Sequence, residues 1–157
     1  MTKGYLTCFW QHRNHPLHVL DEYIYFEKRL YDCYFSNNPV LHATMYDYVK
    51  PLTYLCNATR TVSSISDAIH TAITYQHTEC LIILLSIHKV PWDPGFLNTS
   101  VVTNNVTLID LCIIRFLPHV YQKDIDIALC ESAWYGAVDS ARFLHEYYNA
   151  NISYHNM

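Results

Sequence analysis

Two stretches of this chain align over twelve residues without a gap: residues 68–79 read AIHTAITYQHTE, and residues 128–139 read ALCESAWYGAVD. In both, apolar or small residues recur at three- and four-residue spacing, which is the period of an amphipathic helix. Each stretch continues into a further helical segment, CLIILL at 80–85 and SARFLH at 140–145. Each therefore predicts two consecutive helices, and Gly136 marks the break between the two in the later copy.

Helical periodicity extends outward from these two copies. We expect one long amphipathic helix over residues 17–34 and a short helical pair over 40–46 and 51–56. A polar loop at about 98–105 is expected to precede a helix over 107–115. No stretch alternates with period two for long enough to predict a β-sheet, so the predicted fold class is all-α.

The two aligned copies resemble the ankyrin repeat. Residues 68–72, AIHTA, match the family's L-H-x-A core, and Gly136 occupies the glycine position that follows its first helix. Residues 149–152, NANI, are similar to the G-A-D-V turn that ends a repeat. The resemblance implies an ankyrin-like helical solenoid of about three to four irregular helix-turn-helix repeats over residues 37–157. An N-terminal segment and capping helix would occupy residues 1–36.

The spacing of the copies departs from the family. Ala68 and Ala128 are 60 residues apart, whereas two intact repeats would span roughly 66. We therefore expect residues 107–112 to form the first helix of a shortened middle repeat, and residues 40–43 to be a remnant of an earlier one. No copy has the family's T-P-L-H opening, and most turns lack glycine. Helix-turn-helix stacking without β-hairpins is therefore an alternative.

Composition argues against several classes of function. The chain has 157 residues, of which 51% are hydrophobic and 15% charged, as in a folded globular protein. Its net charge is −4 and no run of lysine or arginine occurs, so nucleic acid is not an expected partner. With only three glycines, the chain contains neither of the glycine-rich phosphate-binding loops.

The expected compartment is intracellular, cytoplasmic or nuclear. No secretory signal is evident, and the longest apolar run, at residues 81–85, is far too short to span a bilayer. The six cysteines are scattered singly, which fits reduced thiols better than a disulfide framework. No membrane is expected as a partner.

The sharpest candidate for metal chemistry is an N-terminal cluster of Cys8, His12, His15 and His18. Thiolate and imidazole are zinc ligands, but this spacing fits no zinc-finger pattern, and a chain with ten histidines groups several by chance. We therefore predict no metal site and no cofactor. A small Cys/His metal-binding protein stays an alternative function.

Catalysis is not expected either. Cysteines such as Cys80 and Cys112 lie on apolar helix faces, where a thiol behaves as an inert small hydrophobe. By the resemblance, His70 and His77 occupy positions whose usual role is hydrogen bonding between turns. No close pair of carboxylates falls in an apolar setting that would raise a pKa for acid catalysis. The chain is predicted not to be an enzyme.

Aromatic side chains are the feature that favours partner binding. Fourteen tyrosines and three tryptophans are more than a small core needs, and both side chains are frequent anchors of interfaces. By the alignment, Thr71 and Thr74 share an exposed helix face with four of the candidate partner-binding residues, and the other two lie near a loop tip after a repeat. The six candidates are Tyr75, Glu131, Trp134 and Tyr135 on the helix face, and Trp92 and Phe96 in the loop.

The predicted function is a non-enzymatic protein–protein interaction module that binds a regulatory protein. The divergent repeats resemble short ankyrin-like proteins of large DNA viruses, which implies a host regulatory target such as an NF-kappa-B-type factor or a ubiquitin-ligase component. The alternative from a different class is a homo-oligomeric structural protein, in which Tyr147, Tyr148 and Tyr154 bury an exposed end of the stack.

Overall fold

The computed structural model describes residues 17–34, 36–58, 63–86 and 90–151, and all regular secondary structure in these ranges is α-helical. The all-α fold class predicted from the sequence is confirmed for this part of the chain. Within it, no helix combines the length and the apolar character needed to cross a bilayer. The helices are α1 (Leu17–Tyr34), α2 (Pro39–Met45), α3 (Val49–Ala58), α4 (Ser63–Thr74), α5 (Thr78–Leu85), α6 (Pro94–Val102), α7 (Val106–Phe116), α8 (Gln122–Trp134) and α9 (Val138–Tyr148).

Helices α2 to α9 form four consecutive pairs, and each pair is joined by a turn that contains one left-handed residue. These residues are Asp47, Gln76, Asn104 and Gly136, with φ between 54° and 69°. They follow one another at spacings of 29, 28 and 32 residues. Gln76 and Gly136 occupy the same position in the two aligned copies, so the alignment places both turns in the correct register.

The pairs pack in series. Among the first helices, α2 packs on α4, α4 on α6 and α6 on α8, while the second helices α3, α5, α7 and α9 pack in the same order. Helix α1 packs on α2 and α3.

A small, fully buried residue lies four positions before each left-handed residue: Ala43, Ala72, Ser100 or Ser132. A small side chain at this place lets the first helices approach closely. Ala72 and Ser132 occupy the same position in the two aligned copies, and both are buried, whereas Ala133 is exposed.

Two hydrophobic clusters form the core, and the third pair contributes to both. Phe96 of α6 belongs to the cluster that extends from α1 to α7, whereas Leu97 belongs to the cluster shared with α8 and α9. The same division holds in α7, where Leu108 faces the first cluster and Ile109 the second. The pair α6–α7 is therefore sandwiched between its neighbours. Trp92, in the segment before α6, packs against both clusters.

The middle of the chain differs from the sequence prediction. Residues 94–102 form helix α6 instead of leading into a polar loop, and residues 107–112 lie in the second helix of that pair, not in the first. Asp93 begins α6, because its side chain accepts a hydrogen bond from Gly95 N (2.8 Å) and Pro94 follows at a position that needs no backbone N–H. The middle unit is therefore a complete helix pair.

Gly136 permits a test of the turn conformation. Its φ is 69°, and a Cβ atom added there would meet no heavy atom within 4 Å, so the cost of Gly136→Ala comes from the left-handed backbone alone. We expect the free energy of unfolding to fall by about 1 kcal/mol in urea denaturation. Gln76→Gly relieves this backbone cost but removes the hydrogen bond that Asn105 donates to Gln76, so the expected change in stability is within about 1 kcal/mol. A several-fold larger loss for Gly136→Ala would contradict the open surroundings of this turn.

Candidate functional site

An open groove of about 640 Å³ crosses the first helices of the last three pairs. Helices α4, α6 and α8 form it because they pack side by side. A volume of this size is typical of sites that hold a small ligand or several side chains of a partner. The residues that line it are Thr74, Gln76, Asn98, Thr99, Val102, Thr103, Glu131 and Tyr135.

Helical periodicity directs these side chains into the groove. On α4, Ala72 and Ile73 are fully buried, which leaves Thr74 exposed at the end of the helix. On α8, Ser132 is fully buried, while Glu131 and Tyr135 lie one turn apart and line the groove together. The alignment predicted a common exposed face for Thr74, Glu131 and Tyr135, and the structure brings all three into one groove.

The groove surface is rich in hydrogen-bond acceptors. The hydroxyls of Thr74, Thr99 and Thr103 each donate their only proton to a backbone carbonyl of their own segment, at distances of 2.7–2.8 Å. The hydroxyls of Thr74 and Thr103 therefore offer only lone pairs to a ligand, and that of Thr99 keeps one lone pair beside its contact with His70. Glu131 adds a carboxylate, and no lysine, arginine or histidine is among the lining residues.

A row of exposed tyrosines follows the turns between paired helices. Tyr46, Tyr75 and Tyr135 each directly precede a left-handed residue, and they are 54%, 55% and 59% exposed. In the third turn Thr103 occupies this position, so the tyrosine row has a gap there. Thr103 lines the groove. Sequence reasoning missed this pattern, although the signal was present as a tyrosine before three of the four turn residues.

Polar side chains connect each of the first three turns to the helix pair that follows it. Asp47, Gln76 and Asn104, the left-handed residues of the first three turns, each accept a hydrogen bond from the following pair. These bonds run from Cys80 Sγ to Asp47 Oδ1 (3.2 Å), from Asn105 Nδ2 to Gln76 Oε1 (3.1 Å) and from Ser140 N to Asn104 Oδ1 (3.1 Å).

Histidines connect the pairs as well. The Nδ1 atom of His77 is hydrogen-bonded to the backbone oxygen of Thr44 in the preceding pair (2.8 Å). His70 Nδ1 is hydrogen-bonded to Thr99 Oγ1 in the following pair (3.1 Å). Since the Thr99 hydroxyl proton goes to Gly95 O, His70 donates in this contact. The structural role predicted for both histidines is confirmed.

Three other predicted binding residues occupy different surroundings. Trp134 is 84% exposed and is not among the lining residues of the groove. The indole N–H of Trp92 donates to Asp124 Oδ2 (3.1 Å), and the centroid of its ring lies 5.3 Å from that of Phe116. Trp92 therefore links the segment before α6 to the start of α8. Phe96 is fully buried within α6, so the prediction that it lies near a loop tip is wrong. The partner-binding role of the exposed candidates stays a prediction.

Two cysteines have buried thiols whose pKa is raised. Cys80 and Cys112 are fully buried. Burial raises the pKa of the Cys112 thiol to about 12. Burial, and the hydrogen bond to Asp47, raise the pKa of Cys80 to about 12. Both thiols are therefore protonated at neutral pH and unsuited to nucleophilic attack, as their apolar helix faces predicted.

The structure does not describe the N-terminal Cys/His cluster on which the alternative metal-binding function depends. Cys8, His12 and His15 lie outside the described residues, as does the side chain of His18. Among the side chains that the structure describes, no group of three or more His, Cys, Asp or Glu residues is placed to hold a metal ion.

Comparisons with protein-family models, curated proteins and solved structures found no significant match to this chain. The function proposed below therefore rests on the groove, the exposed aromatic side chains and the packing of the helix pairs.

Proposed function

We propose that this chain is a non-enzymatic protein-binding module, built as an ankyrin-like stack of helix-turn-helix units, that holds a regulatory protein in the groove over α4, α6 and α8. The observation that carries the proposal is the convergence of Thr74, Glu131 and Tyr135, from the second and fourth pairs, in one open groove. By its resemblance to viral ankyrin-like proteins, the partner would be a host regulatory protein inside the cell.

Support for the stack comes from its regularity. Four turns share the same left-handed position, and helices in equivalent places pack in series. In repeat proteins each unit buries its apolar face mainly against its neighbours, and the residues left exposed on one side form an extended binding surface. The small residue before each turn and the side-chain bonds between turns fit that mode of assembly.

Support for binding comes from what the groove offers. Its surface carries hydroxyl and carboxylate acceptors, and Tyr135 is more than half exposed at its edge. Tyrosine and tryptophan combine a large contact area with few rotatable bonds, which makes exposed examples such as Tyr75 and Trp134 suitable anchors.

Alanine substitution of the exposed α8 aromatics tests the proposal. The double variant Trp134→Ala/Tyr135→Ala is expected to lose capture of a stoichiometric partner from cell lysate, while its circular dichroism spectrum is unchanged because both side chains are exposed. Loss of two interface anchors typically weakens binding by 2 kcal/mol or more, roughly thirtyfold. Mass spectrometry of the captured protein would name the partner.

The matched control is Tyr147→Ala, which removes an aromatic ring that is 71% exposed on the second helix of the same pair. This variant should capture the partner as well as the unchanged chain does. If the double variant folds and still captures the partner, the assignment of this face is wrong.

Self-association is the second candidate function, and the exposure of Tyr147 favours it. Of the three tyrosines predicted to bury the end of the stack, however, only Tyr147 is exposed among the residues that the structure describes. Tyr148 is partly buried and its hydroxyl donates to Asp110 Oδ1 (2.6 Å), so it is not free to form an interface, and Tyr154 lies outside the described residues. A mass-resolved sizing run decides, since an oligomer that dissociates on Tyr147→Ala would support this alternative.

A further inference from the structure

The gap in the tyrosine row coincides with the groove. At three turns a tyrosine stands directly before the left-handed residue, and at the third turn Thr103 stands there and lines the groove. A threonine side chain is much smaller than a tyrosine, so the third turn places no ring beside the groove. The groove lies beside the third turn and is lined on its two sides by Gln76 of the second turn and Tyr135 of the fourth.

The groups around this gap match a cation with several N–H donors. The hydroxyls of Thr74, Thr99 and Thr103 offer lone pairs only, and Glu131 supplies a negative charge. Since no basic side chain is among the lining residues, this charge is not balanced within the groove. A guanidinium group carries five donors and no acceptor, which complements such a surface.

The placement of Glu131 and Tyr135 favours arginine over lysine. The two residues are one helical turn apart on α8, so a planar guanidinium can pair with the carboxylate and lie against the ring at the same time. This chain already holds one guanidinium against tyrosine rings. The Arg29 group lies 3.6 Å from the ring centroid of Tyr25, one turn earlier on α1, and 4.2 Å from that of Tyr48, which follows the first turn.

We propose that the gap at Thr103 is a binding subsite for an arginine side chain of the partner protein, held by Glu131 and Tyr135. The inference rests on the proposed function, since it names the chemistry of the partner in the same groove. It also predicts that the segment bound in the groove loses affinity when this arginine is made neutral.

Titration of the ¹⁵N-labelled 157-residue chain with N-acetyl-Gly-Arg-Gly-amide tests the subsite by nuclear magnetic resonance. We expect saturable shifts at the backbone amides of Thr103, Glu131 and Tyr135. The citrulline analogue has nearly the same shape without the charge, and it should bind about tenfold more weakly, the lysine analogue falling between the two.

Two variants locate the site. Thr103→Tyr fills the gap with the residue that the chain itself carries at the other three turns, so it should fold normally and weaken binding of the arginine peptide about tenfold or more. Glu131→Gln should weaken it by a similar factor. Glu146→Gln is the matched control, because it removes an exposed carboxylate from α9 outside the groove and should change nothing.

Equal binding of the citrulline peptide, shifts centred on Trp134 or Tyr147, or binding that survives Thr103→Tyr would each overturn the arginine subsite. So would the lack of any saturable shift. None of these results bears on capture of a protein from lysate, so failure of the subsite is distinguishable from failure of the proposed function.

Discussion

Phe96→Ala is expected to lower the free energy of unfolding by about 3–5 kcal/mol, which is a large part of the 5–15 kcal/mol typical of a whole domain. The Phe96 ring is fully buried in α6. Its centroid lies 4.9 Å from the ring of His70 on α4 and 5.9 Å from that of Phe116 on α7. Removing it leaves a cavity where three helices meet, and the neighbouring helices cannot all move to close it. Urea denaturation at neutral pH would measure the loss.

Tyr75→Ala is the control for this prediction. It removes a ring of similar size that is 55% exposed, so the expected loss of stability is within about 0.5 kcal/mol. If the two variants lost stability equally, the burial of Phe96 would be contradicted. At temperatures where the Phe96→Ala variant remains folded, it should still capture the partner, because the ring does not reach the surface.

The sequence predicted the helix pairs wherever the apolar pattern is continuous. Residues 68–79 and 128–139 gave both the two-helix units and the register of their turns, because Gln76 and Gly136 stand at the same position and are both left-handed. The shared face of Glu131 and Tyr135 followed from that register. The sequence predicts no helix over residues 94–102, which is why it places Phe96 in a loop and not in the core.

Helix α6 shows why the sequence predicts only a shortened repeat in the middle of the chain. Its sequence, PGFLNTSVV, contains glycine, asparagine and β-branched residues that are weak helix formers. Burial of Phe96, Leu97 and Val101 stabilises the helix, and this contribution depends on the flanking pairs. Asp93-Pro94 carries a local signal for a helix start, but the same residues also fit the end of the preceding unit.

Glycine was a poor guide to the turns for a related reason. The family resemblance suggested glycine after each first helix, whereas Asp47, Gln76 and Asn104 occupy that place with φ of 54–58°. A left-handed non-glycine residue costs on the order of 1 kcal/mol. Here each of the three side chains forms a hydrogen bond to the next pair, which offsets part of that cost. Such a bond depends on how the pairs pack, so one sequence cannot reveal it.

Stability is also expected to fall steeply at alkaline pH because of the buried thiols. Cys80 and Cys112 are fully buried, and burial is the main cause that raises their pKa from 9.0 to about 12. Above pH 9 the unfolded chain loses these protons while the folded chain keeps them. Stability therefore falls as pH rises, by up to about 1.4 kcal/mol per pH unit for each thiol. Together the two thiols predict a loss on the order of 4 kcal/mol between pH 9 and pH 11.

Urea denaturation at a series of pH values, with a phosphine reductant present, would measure this slope. Cys112→Ala should reduce the slope by up to about 1.4 kcal/mol per pH unit, whatever its stability at pH 7. Leu108→Ala is the matched control on the same helix, since it empties a fully buried position without removing a titrating group. It should lower stability at every pH and leave the slope unchanged. An unchanged slope in Cys112→Ala would mean that this thiol ionises as readily in the folded chain as in the unfolded one, contrary to its burial between α7 and its neighbouring helices.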